Sequence, residues 1–139
     1  MTNLRWLQWH ITRYYRNQGL QVRIRSIRLG NTAIDGEVIG NGYRIALEIK
    51  TPSDDVTRAL GQLTEALAYG YDRAALVTTL SKAKRINRKV FDRAGFLLFA
   101  VDSKGIMSNL TPGSNQERIT TDTYSKHMMV SVTKNGCKR

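Results

Sequence analysis

Asp35, Glu48 and Lys50 are the residues of this chain best suited by type and spacing to do chemistry. In the run YRIALEIK, residues 43–50, a strand's period of two sends Tyr43, Ile45, Leu47 and Ile49 to one face. Arg44, Ala46, Glu48 and Lys50 go to the other, with Glu48 and Lys50 about 7 Å apart. Charges in a strand otherwise fit for a core cost several kcal/mol to desolvate unless something offsets them. Two carboxylates brought together repel unless a cation sits between them, and hard oxygen ligands suit magnesium, which keeps several waters and takes one or two carboxylates. A lysine beside such an ion can hold or help deprotonate a water, or steady the negative charge that grows on a phosphate under attack. These are the parts of metal-assisted phosphodiester hydrolysis. The competing reading of Glu48 and Lys50 is an ion pair on a partly exposed edge strand, worth about 0 to 1 kcal/mol.

The elements that must position these side chains follow from periodicity. Residues 3–17 place Leu4, Leu7, Ile11 and Tyr14 three and four apart, as on one helix face, and Gly19 stops the helix. Three strands follow, QVRIRSIRL, AIDGEVIG and YRIALEIK, the last two joined by Asn41 and Gly42, a favoured two-residue hairpin turn. Pairing about that turn puts Asp35 across from Glu48. Pro52 ends the third strand. Val56, Leu60, Leu63 and Leu67 then mark a second helix reaching Tyr69, with Ser53, Asp54 or Asp55 as its cap. AALVTT reads as a buried strand, SKAKRINRKVFDRAG as one basic amphipathic helix ended by Gly95, FLLFAVD as another buried strand, and GIMSNL as a short one. The order α-β-β-β-α-β-α-β describes an α/β fold with a mixed central sheet flanked by helices. Residues 1–112 form one core domain, and 113–139 a C-terminal extension with a short edge strand around MMVSV.

Charge points to a polyanionic partner. The 139 residues hold 22 Lys plus Arg against 11 Asp plus Glu, a net charge of +11 and an isoelectric point near 10.2. Residues 1–34 carry six arginines and no acid, whereas residues 35–80 gather seven of the 11 acids against four bases. An acidic centre between basic flanks suits metal ligands within a nucleic-acid-binding surface. No apolar run approaches the roughly 20 residues that span a bilayer, so no membrane role is expected. The N-terminal stretch carries Trp and Arg where a secretory signal needs an unbroken apolar region, so the expected location is intracellular, in cytoplasm or nucleoid. A lone Cys137 excludes an internal disulfide and a cysteine-rich zinc site, and His10 and His127 lack zinc spacing.

Asp35, twelve intervening residues, then Glu48-Ile49-Lys50 resembles the PD-(D/E)XK nuclease signature, and the element order is similar to that superfamily's restriction-endonuclease-like core. In GQLTEALAYG, Gln62 and Tyr69 fall on one helix face, similar to an additional motif in several branches of the superfamily. The resemblance covers about residues 1–103 and includes small nucleases of the archaeal Holliday junction resolvase type. It implies that Asp35, Glu48 and the Ile49 carbonyl bind Mg2+, with Mn2+ substituting. It implies that Lys50 orients the nucleophilic water, that Gln62 supports the water or a phosphate, and that the chain acts as a homodimer on DNA. Many members carry a glutamate in the first helix, and this chain has no acid before Asp35. Either a second metal is absent or weak, or Glu37, Asp54 or Asp55 supplies the missing ligand.

Two basic sets complete the expected surface. Arg5, Trp9, Arg13 and Arg16 share a stripe on the first helix opposite Leu4, Leu7 and Ile11. Lys82, Arg85 and Lys89 do the same on the later helix, with Lys84 and Arg88 beside them. Both sets would grip DNA phosphates and bind more weakly as salt rises. Two functions stay open: a metal-dependent DNA endonuclease, structure-selective for junctions or flaps, and a nuclease-fold nucleic-acid-binding protein that has lost turnover.

Overall fold

The computed structural model describes residues 3–111. The expected edge strand around MMVSV, His127 and Cys137 lie outside them. Helix α1, Leu4–Arg16, begins where the Asn3 side chain accepts a hydrogen bond from the Trp6 N–H at 2.9 Å. It buries Leu7, Ile11 and Tyr15, each four residues apart. Two residues expected on that face leave it: Leu4 is 44% exposed, and Tyr14 sits at the margin, its ring edge-on to Phe99. A four-residue step drifts slowly round a 3.6-residue helix, so the face that starts at Leu7 ends on Tyr15 rather than Tyr14.

Strands β1 (Gln21–Leu29), β2 (Thr32–Gly40) and β3 (Tyr43–Ile49) form an antiparallel meander. Asn41 and Gly42 both take positive φ, 38° and 84°, which the two-residue turn requires and which glycine adopts without strain. The turn sets the register: Gly40 faces Tyr43, Val38 faces Ile45 and Gly36 faces Leu47, the expected pairing. Helix α2, Thr57–Ala68, carries the chain to β4, Arg73–Thr79, which lies parallel to β3. The β4 to β5 connection holds α3, Leu80–Ala83, and α4, Arg88–Ala94, before β5, Leu97–Val101, and β6, Met107–Asn109. The sheet order is β1-β2-β3-β4-β5-β6, with β4 and β5 parallel and β5 and β6 antiparallel.

Each sheet face has its own core. Leu7, Ile11 and Tyr15 pack on Tyr43, Ile45, Leu47, Ile49, Val77 and Phe99, so α1 covers one face. Ala59, Leu63 and Ala66 of α2 and Phe91 of α4 pack on Ala46, Ala74, Leu76 and Leu98 of the other. Strand alternation therefore puts Glu48 on the α2 face. β3 lies between β2 and β4, so the reading of Glu48 as part of an edge-strand ion pair does not hold.

Two local expectations are corrected. The basic segment after β4 is two short helices rather than one, because the Thr79 hydroxyl caps α3 and the Asn87 side chain accepts from Lys89 N–H to start α4. α2 begins at Val56 without a side-chain cap; Asp55 accepts from the Thr57 N–H, while Asp54 accepts from both the N–H and the hydroxyl of Thr51. Those bonds, the backbone one foremost, hold the Asp54 carboxyl below its usual range.

Candidate active site

A β-bulge places Asp35. β1 pairs Ile24 with Gly36 and then Ile27 with Ile34, so Arg25 and Ser26 stand opposite the single residue Asp35. The bulge also re-aims β1: Val22 and Ile24 pack on the α1 face, Ile27 on the α2 face. Gly36 makes the close pairing possible, since a Cβ there would meet the Arg23 carbonyl oxygen at 2.6 Å.

On the other side of β2 the ladder stops one step early. Gly40 with Tyr43, Val38 with Ile45 and Gly36 with Leu47 are alternate pairs, so the next bond would join Ile34 and Ile49. Instead the Ile49 N–H donates to Asp35 Oδ2 at 2.8 Å. The Asp35 carboxylate thus replaces a backbone acceptor at the end of β3. N–H and C=O of one strand residue project to the same edge, so the Ile49 carbonyl opens on the Asp35 side.

Glu48 is 0% exposed, and neither carboxylate oxygen has a hydrogen-bond partner among the described residues. Its carboxyl is pushed up to about 8, first by burial and then by the Asp35 charge, with Lys50 pulling the other way. Lys50 Nζ lies 3.9 Å from Glu48 Oε1, an ion-pair distance beyond hydrogen-bond reach. Lys50 N–H donates to the Val77 carbonyl, which sets Lys50 beside Thr78. Thr78 follows Ala74 and Leu76 on the α2 face, and its hydroxyl is fully buried with no partner among the described residues. The sequence reading missed Thr78; the signal available was a hydroxyl ending an apolar parallel strand next to the Glu-x-Lys strand.

Gln62 approaches from α2. Its side-chain N–H donates to the Ala33 carbonyl at 2.8 Å, two residues from Asp35, and its buried Oε1 has no donor among the described residues. Tyr69, on the same helix face, reaches the β1–β2 turn at Gly30 and is half exposed. Among the described residues no group of three or more His, Cys, Asp or Glu side chains comes together. Glu37 is occupied elsewhere, accepting from the Tyr71 hydroxyl at 2.6 Å and pairing with Arg23 at 3.5 Å, and Asp54 and Asp55 hold the loop before α2. The three carboxylates considered as a further ligand therefore serve other contacts.

The basic residues divide. Arg5, Arg13 and Arg16 are exposed along α1. Lys82 bonds the Pro52 carbonyl at 2.9 Å and the Asp54 carbonyl, clipping the loop after β3, and with Arg85 it lines a hollow of about 350 Å³ floored by Val56, Leu60 and Val90. Lys84 lines a separate hollow with Trp6 and Asp102. Arg88 donates to the Leu110 carbonyl, and Lys89 is exposed. The break between α3 and α4 thus removes the single stripe expected for Lys82, Lys84, Arg85, Arg88 and Lys89. His10 lies between the Trp6 and Trp9 rings, at 4.5 and 4.8 Å.

No protein-family model matches the sequence, and no curated protein matches it. Solved structures do share its fold. An FdxN element excision controlling factor protein from Anabaena variabilis superposes with a TM-score of 0.56 at 15% identity, over 76% of this chain and 97% of that one. An XisH family protein from Nostoc punctiforme PCC 73102 gives 0.50 at 14% identity, over 74% and 96%. The chain has an α/β, restriction-endonuclease-like core. No helix among the described residues is long and apolar enough to cross a membrane.

Proposed function

We propose that this chain is a divalent-metal-dependent DNA endonuclease that hydrolyses phosphodiester bonds at Asp35, Glu48 and Lys50. Glu48 carries the proposal. It is fully buried, both oxygens lack donors among the described residues, and it lies beside a second carboxylate. Such a group is costly unless a cation shares the site, and Lys50 at 3.9 Å neutralises it only in part. Asp35, Glu48 and the Ile49 carbonyl form a hard-oxygen set that fits Mg2+, with Mn2+ able to substitute. When bound, such an ion supplies Lewis-acid stabilisation of phosphate charge and a more acidic water.

The chain's own groups would do the rest. Lys50 places a positive charge where the attacked phosphate gathers negative charge. Gln62 Oε1, buried without a donor among the described residues, accepts a hydrogen bond from the incoming water. The water oxygen bonds to phosphorus, the bond from phosphorus to the 3′ oxygen breaks, and 5′-phosphate and 3′-hydroxyl ends result, as the nuclease signature implies. One similar structure is named for control of element excision, which suits action on DNA.

The test is nicking of supercoiled plasmid, junction DNA and flap DNA with Mg2+ or Mn2+ by wild type, Glu48→Ala and Lys50→Ala. Wild type cuts, and each substitution lowers the rate by about a hundredfold or more. Equal cutting by all three proteins rejects the site. A nucleic-acid-binding protein without turnover is the second reading, favoured by the absence of a third acid beside Asp35 and Glu48 among the described residues. Salt-sensitive DNA binding with no cutting by any of the three proteins selects it.

A further inference from the structure

We infer that the groove beside α1 is a separate binding site for single-stranded nucleic acid, with Trp9 as its base-stacking platform. The groove encloses about 490 Å³ and is lined by Arg5, Trp9, Thr12, Arg13 and Arg16 of α1 and by Ile24 of β1. It belongs to the α1 side of the sheet, whereas Glu48 points to the α2 side, so a phosphate held here is not the one placed at Glu48.

Trp9 is 59% exposed, an unusual position for so large an apolar ring. The fold does not need it in the core; Leu7, Ile11 and Tyr15 fill that face. The Arg13 guanidinium lies over the indole, 5.3 Å from its centroid, and His10 meets the ring edge-on. The cation thereby backs the exposed ring, and an unpaired base can stack on such an aromatic face. A duplex keeps its base faces stacked on one another and offers none to Trp9.

The surroundings select the charge of the occupant. Residues 1–34 hold six arginines and no acid. Arg5, Arg13 and Arg16 are exposed and span twelve residues, about 17 Å at the helical rise. A strand contacting the three α1 arginines would show a salt slope of about −2. A second copy of this equally basic chain is disfavoured at this surface by the same charge.

The site stands apart from catalysis, so its test omits divalent ions. In EDTA, fluorescence anisotropy compares a short labelled oligothymidylate with a duplex of equal length. The proteins are wild type, Trp9→Ala, Trp9→Phe and the triple variant Arg5→Ala, Arg13→Ala, Arg16→Ala. Trp9→Ala weakens the single strand about tenfold and the duplex by less than twofold. Trp9→Phe retains most of the affinity, and the triple variant flattens the salt slope. Equal losses on both DNAs, no loss on either, or a wild-type dimer that Trp9→Ala dissociates in sedimentation each overturn the inference. Intact single-strand binding by a protein that never cuts would sink the nuclease reading alone.

Discussion

Replacing Glu48 by Gln removes one ionisation from the core while keeping the shape, and the buried carboxyl sets the size of the effect. The unfolded chain ionises Glu48 near 4.5, while the folded protein retains the proton up to about 8. The folded value is the raised one, so this contribution to stability is complete below 4.5 and is lost as pH climbs through 8. By pH 7 the loss is about 3 kcal/mol, from roughly 1.4 kcal/mol for each pH unit above 4.5. For a chain of this size that is roughly 6 to 12 °C in melting temperature. The assay is urea unfolding in EDTA from pH 4.5 to 8.5, wild type against Glu48→Gln. Their other titrating groups are shared, so the difference between the two profiles isolates Glu48. Wild type loses about 3 kcal/mol relative to Glu48→Gln between pH 4.5 and 7, and Mg2+ at roughly a hundred times its Kd restores a similar amount to wild type alone. Parallel profiles for the two proteins would refute the reasoning.

Other substitutions probe the surrounding framework. Lys82→Met removes the clip on the Pro52 and Asp54 carbonyls and lowers stability by about 1 to 2 kcal/mol, with faster proteolysis at residues 51–55. Gly61→Ala stabilises the fold by about 1 kcal/mol in thermal unfolding, because a Cβ there meets nothing and glycine is a poor helix former. Tyr71→Phe strips Glu37 of its hydroxyl donor and costs about 1 to 3 kcal/mol in urea unfolding, since among the described residues Arg23 alone is left paired with that buried carboxylate.

The hairpin was legible because its determinants are local. Asn41 and Gly42 specify a turn whose length fixes register, and alternation along residues 43–50 then assigns every side chain a face. The burial of Glu48 was not legible, because it depends on β4 arriving in parallel, with Leu76 of β4 beside it from 28 residues away, beyond any local pattern. The bulge at Arg25 and Ser26 also escaped, since its cause is the fit of β1 to Gly36 and Asp35 across the ladder. Asn87 divided the basic helix because an amide side chain can cap a helix as readily as sit within one, and only the packing of Phe91 shows which occurs. The orientation of Gln62 toward Ala33 followed from how α2 crosses the sheet, which periodicity alone does not specify.

The account rests on a divalent ion held between Asp35 and Glu48 within reach of Lys50. Crystals grown with Mn2+ and measured for anomalous scattering test it most directly. A peak within about 2.2 Å of oxygens from both Asp35 and Glu48, with the Ile49 carbonyl among the ligands, is the predicted result. Well-occupied manganese elsewhere, with Glu48 still bare of any ligand, would contradict it.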